Sequence, residues 1–115
     1  MDTQLYNEIL NARQIVHDPR SWFSCYKPVI TAFSALQYTI LPPPTIYSQV
    51  DNYEYELYNS SGDIIDDGIV AGATVVANSY RIQITTSPPS RSSFRFRFLD
   101  YFRGPSPWSN YRYHS

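Results

Sequence analysis

The chain has 115 residues, 43% of them hydrophobic and 17% charged, with a formal net charge of -1. That length supports one core, so a single domain over residues 1–115 is expected, and the balance excludes a disordered polyelectrolyte or a bulk neutraliser of nucleic acid. Aromatic residues reach 17%, eleven being Tyr, and 9 Pro outnumber 4 Gly, a mix that suits short strands and stiff connections.

The N-terminal residues carry acid before any base and no continuous apolar run, so they lack the build of a secretory signal. Asp2 or Thr3 caps an expected helix in which Leu5, Ile9, Ala12 and Val16 share one face, with Tyr6 and Leu10 widening the stripe. His17-Asp18-Pro19 ends it, because the proline restricts the residue before it. So short a helix is marginal alone in water and must lay its stripe on a sheet or on a neighbouring subunit. Residues 1–18 are accordingly read as a helical arm. The single cysteine, Cys25, excludes an internal disulfide and any multi-cysteine zinc site, and is read as a small buried hydrophobe.

Val29 to Leu41 is rich in β-branched and aromatic residues and reads as one strand with one wet face; its apolar run is too short to span a membrane. Pro42, Pro43 and Pro44 then make a stiff connection that cannot join a ladder and should carry the chain from one sheet to another. Tyr53, Tyr55 and Leu57 alternate with Glu54, Glu56 and Tyr58, and the turn formers of residues 59–63 should return the chain along Ile64 to Val70 as a hairpin. Ala71 to Ala77 reads as a further strand around Gly72, and Tyr80, Ile82 and Ile84 alternate with Arg81, Gln83 and Thr85. Phe94, Phe96 and Phe98 then define an apolar face against Arg95 and Arg97. The expected fold is mainly β: an antiparallel β-sandwich (jelly-roll or Ig-like) or small barrel over residues 22–102, with the N-terminal helix and an extended C-terminal tail, 103–115.

The charges are divided along the chain. Residues 51–67 hold Asp51, Glu54, Glu56, Asp63, Asp66 and Asp67 and no base, whereas from Arg81 onward six arginines, Arg81, Arg91, Arg95, Arg97, Arg103 and Arg112, stand against the single acid Asp100. Arg81, Arg95 and Arg97 on one sheet face, with Tyr101, Phe102, Tyr111 and Tyr113 as stacking platforms, would make a nucleic-acid surface. The competing reading pairs those arginines with Glu54 and Glu56 across strands, and no RRM, KH or zinc-finger signature is present, so pairing is preferred.

No catalytic motif is present. His17 sits at a helix end and His114 in the tail, no nucleophile elbow surrounds any serine, and no enzyme activity or cofactor is expected. Asp63, Asp66 and Asp67 could attract calcium, but their spacing does not fit an EF-hand and no metal site is assigned. Asn59-Ser60-Ser61 matches a glycosylation sequon, read as coincidental without a signal peptide. Trp22 and Trp108 could stack on sugars as in a carbohydrate-binding module, yet tryptophan and tyrosine equally anchor protein interfaces.

The tail has little of its own to bury and carries Trp108, Tyr111, Arg112 and Tyr113, residue types enriched at interfaces. These four, with Leu5, Ile9 and Val16 of the arm, are the expected contacts with other protein subunits in a homo-oligomer or hetero-assembly. In general build, across the whole chain and on no specific motif, such a cysteine-poor, Tyr/Ser/Pro-rich β protein with extended ends resembles the minor structural subunits of virions. That resemblance implies a non-enzymatic capsid, decoration, adaptor or tail component and offers the virion as one location, the localisation being otherwise open. A soluble chain is expected separately, from the lack of a secretory signal and of a membrane-length apolar run. Nucleic-acid binding and sugar binding are the alternatives.

Overall fold

The computed structural model describes residues 26–43, 50–101 and 104–115. The expected helical arm with Leu5, Ile9 and Val16, and also His17, Trp22 and Cys25, lie outside the described residues.

Two antiparallel sheets, not closed into a barrel, make the fold. The smaller is β1 (Ile30–Ser34), β2 (Gln37–Ile40) and β5 (Arg81–Gln83), in that order. The larger runs from β4 (Ile64–Ala71) through β3 (Asn52–Tyr58) to β6 (Ser93–Asp100), whose far side pairs with β7 (Gly104–Pro105) and β8 (Arg112–Tyr113). β2 belongs to one sheet and β3 to the other, so the chain crosses between sheets after the prolines begin, as their stiffness led us to expect.

The alternation of β3 and β6 places aromatics inward and charges outward. Tyr53, Tyr55 and Leu57 are buried opposite Phe98, Phe96 and Phe94 respectively, all three phenylalanines being fully buried. The smaller sheet adds Tyr38, Ile40 and Ile82, with Ile84 just beyond it, to the same cluster. Tyr38 joins the two sheets by lying parallel to Phe94, ring centroids 3.5 Å apart. Between β3 and β4, Asn59 Oδ1 accepts the N–H groups of Ser61 and Asp63 at 3.0 and 2.9 Å, and Gly62 takes a φ of +86° that other residues resist.

Three expectations need correction. Val29 to Leu41 is a hairpin rather than one strand, reversed at Ala35 and Leu36 with φ of +54° and +62°. Positive φ at both central positions matches the twist of a two-residue hairpin turn, but it normally takes Asn-Gly, and Ala-Leu gives no such signal. Leu36 is held there by packing on the core, and Phe33 lies across the strand pair from Tyr38, centroids 4.5 Å apart.

Residues 72–77 form α1 (Gly72–Ala77), not a strand. The Gly72 N–H donates to the Asp51 carbonyl at 2.7 Å, and any Cβ at position 72 would collide with the Val50 carbonyl oxygen. Glycine lets the chain turn off β4 at that approach and wind so that Val75 becomes fully buried, which overrides the β preference of Thr74, Val75 and Val76.

The third correction concerns the tail: residues 104–115 contain β7 and β8 and close the far edge of β6, so the β fold continues beyond residue 102.

Candidate functional site

The outer face of the larger sheet and the C-terminal segment bring together most of the chemistry-bearing residues singled out in the sequence. On that face Glu54 stands directly opposite Arg97, and Glu56 opposite Arg95. Arg95 donates from Nε and Nη2 to Glu56 Oε1 at 3.0 and 2.7 Å, and Arg97 Nε donates to Glu54 Oε1 at 2.6 Å. Tyr58 donates its hydroxyl to the same Glu56 oxygen at 2.7 Å and accepts from Arg95 at 3.1 Å. Partial burial alone would push the Glu56 carboxyl up, but the Tyr58 and Arg95 hydrogen bonds and the charges of Arg95 and Arg97 together hold it below its ordinary value. Arg95 is shifted up: burial acts against its charge and is outweighed by the Glu56 and Tyr58 bonds.

Trp108 covers these arginines. Its ring centre lies 4.2 Å from the Arg95 guanidinium carbon and 4.3 Å from that of Arg97, and the Tyr111 ring lies 5.3 Å from Arg95. Cation–π attraction of this kind contributes about 0.5–1 kcal/mol per contact at exposed sites. The arginine–glutamate pairing preferred from sequence is therefore present for Arg95 and Arg97. Arg81 departs from the expected row of three, because β5 belongs to the other sheet, where Arg81 stands exposed opposite Thr39. A polyanion approaching the outer face would meet guanidinium groups already bonded to carboxylates.

Two serines fasten the C-terminal segment, and sequence reasoning missed them. Ser106 and Ser109 give their backbone N–H groups to the Phe98 and Phe96 carbonyls at 3.0 and 2.8 Å. Their hydroxyls accept the N–H groups of the same two phenylalanines at 2.9 and 3.0 Å, and donate onward to the Pro107 and Asn110 carbonyls, both at 3.0 Å. Each serine thus completes a ladder step in a stretch where Pro105 and Pro107 have no N–H to offer. The spacing S-P-W-S beside two prolines was the available signal, and it reads equally as a turn.

His114 fixes the end of the segment. Its N–H donates to the Ser92 carbonyl and its carbonyl accepts the Arg91 N–H, both at 2.9 Å, while Nε2 lies 2.7 Å from the Tyr38 hydroxyl. The imidazole meets Phe33 edge-on at 4.8 Å between centroids. Burial, aided by the positive charge of Arg112, lowers the His114 pKa from its ordinary 6.5, and burial raises that of Tyr38. The histidine therefore ties the C-terminal segment of one sheet to the other sheet through a neutral ring.

Of the expected interface residues, Trp108 is half-buried against its own chain, while Arg112, Tyr111 and Tyr113 stay exposed. The three turn carboxylates do not converge: Asp66 Oδ1 accepts the Tyr55 hydroxyl at 3.3 Å, and among the described residues no group of three His, Cys, Asp or Glu side chains could hold a metal ion. No helix among them is long and apolar enough to cross a membrane. Compared with protein-family models, curated proteins and solved structures, the chain matches none.

Proposed function

We propose that the chain is a non-enzymatic structural subunit of a larger symmetric assembly, built as a two-sheet β-sandwich that binds other protein subunits through its exposed sheet edges. A small virion component, whether capsid, decoration, adaptor or tail protein, is the assembly that its build suits.

The observation that carries this reading is β4. This eight-residue strand pairs with β3 on one side and with no other described strand, and Ile64 and Ile69 are 48% and 59% exposed along it. An open edge of that length offers unpaired backbone donors and acceptors to another chain. The grip on the C-terminal segment, placed by sequence on a neighbour, is instead supplied by β6, so the surfaces proposed for docking are the two edges of the larger sheet: β4, and the outer side of the C-terminal segment.

Nucleic-acid binding is disfavoured by the pairing of Arg95 and Arg97, and sugar stacking by the guanidinium groups against the Trp108 ring. Sedimentation velocity of the purified chain over a wide concentration range tests the proposal. Species larger than the monomer, growing with concentration, are expected; a monomer at every concentration rejects it. Salt-dependent retention of the chain on single- or double-stranded DNA or RNA would favour the nucleic-acid reading instead.

A further inference from the structure

We propose that the partner at the open edge is a second copy of this chain, whose residues 110–114 add to β4 so that the larger sheet continues from molecule to molecule. This rests on the assembly reading above and gives it a specific contact. The occupant is argued from the complementarity of the two edges of one sheet.

Along β4 and its turn, residues 59–71 carry Asp63, Asp66 and Asp67 and no base. At the other edge, residues 104–115 carry Arg112 and no acidic side chain, and Arg91 is hydrogen-bonded to that segment through His114. Apolar surface matches as well: Ile64 and Ile69 are exposed on one edge, Tyr111 and Tyr113 on the other, with Tyr113 73% exposed. Pro105 and Pro107 cannot donate to an incoming strand, which leaves 110–114 as the receptive stretch.

Strand direction agrees. β4, β3, β6 and β8 alternate in direction through antiparallel pairings, so the two outer strands run oppositely. Copies stacked head to tail with the same face outward therefore meet as an antiparallel pair. In that arrangement Arg112, which shares the face of Phe94, comes to the face on which Asp66 lies opposite Leu57. Tyr113, paired with Ser93, comes to the face of Asp67 and Ile69. Two β4 edges meeting about a two-fold axis would also be antiparallel, but would bring aspartates against aspartates. Charge thus selects the heterologous contact, which propagates into a ring or filament instead of stopping at a dimer.

Charge exchange tests the contact. Asp63→Lys/Asp67→Lys makes the acidic edge basic, and Arg91→Glu/Arg112→Glu makes the basic edge acidic; all four side chains are exposed. With melting temperatures near that of the parent chain, each double variant alone should associate more weakly by about tenfold or more, and an equimolar mixture should regain the loss, because every edge then finds an opposite one. Should either variant fail to fold, Ile69→Lys in the otherwise unchanged chain is expected to weaken association alone. Parent-like assembly of the folded charge variants, or a mixture no better than its components, removes this contact and leaves the assembly reading standing. A parent chain that stays monomeric at every concentration removes both.

Discussion

Beyond β6 the larger sheet is closed by residues 104–115, whereas beyond β3 the strand β4 presents eight residues with no second described strand beside it. The closed edge is irregular and proline-broken, yet the backbone N–H groups of Phe96 and Phe98 there are answered by serine hydroxyls. The open edge has regular strand geometry for most of its length, one shift near Leu57, and exposed isoleucines. Regular secondary structure and a finished edge are therefore different things. The segment that looks least like an element satisfies the inner strand β6, while the long, regular β4 has no second partner among the described residues.

If that comparison is right, the largest stability loss lies on the closed side. Ser106→Ala and Ser109→Ala together should destabilise the chain by about 2–6 kcal/mol, since each leaves a buried N–H of β6 without its acceptor, at about 1–3 kcal/mol per group. Urea denaturation would measure it, and a loss below 0.5 kcal/mol would mean that the hydroxyls are not the required acceptors. Trp108→Ala should follow, at about 2 kcal/mol, from two lost cation–π contacts and the uncovering of partly buried side chains. Lost assembly with unchanged stability would instead return Trp108 to the role its composition suggested, an anchor for a neighbour.

The sequence makes the strands with strict two-residue alternation easy to read. Tyr53-Glu54-Tyr55-Glu56-Leu57 and Phe94-Arg95-Phe96-Arg97-Phe98 each separate a buried face from a charged one, so even the pairing of Glu with Arg follows from the pattern. Elsewhere the information is not local. The turn at Ala35-Leu36 depends on core packing that no dipeptide preference reports. The helix at Gly72 depends on an approach to Val50 from another part of the chain. The closure of β6 depends on serine hydroxyls standing in for ladder groups. Each is a contact between segments far apart in sequence, or a side chain acting as backbone, and neither leaves a periodic trace.

The closed edge should also depend on pH, through two groups with separate windows. His114 has a folded pKa lowered below 6.5 by burial and by Arg112, so its neutral form is favoured by folding. Its contribution is fully present above 6.5 and is lost as pH falls from there through the lowered folded value. Glu56 is lowered from 4.5 by hydrogen bonds that outweigh its desolvation, so its contribution persists above 4.5 and is lost at still lower pH. Melting temperature should thus decline in two stages on acidification. His114→Gln should flatten the upper stage and leave the lower one. A variant that retains the full slope between pH 7 and 5 would show that the protonation of some other group governs this range.

The smallest effect is expected on the open side. Asp67 lies opposite Glu56 on the outer face, a like-charge pair eased by the bonds of Arg95 and Tyr58 to Glu56 and by the nearby charge of Arg97. Asp67→Lys replaces that repulsion with an attraction of about 0.2–1 kcal/mol across the strand pair, so the isolated chain should become slightly more stable. Thermal unfolding at high dilution, where association is absent, is the measurement. A destabilisation above 1 kcal/mol would show that Asp67 is already used within the monomer and that β4 is a finished edge after all. A small gain would mean that an aspartate is retained where the monomer alone would favour a cation, and the use of that residue must then be sought in what the edge meets.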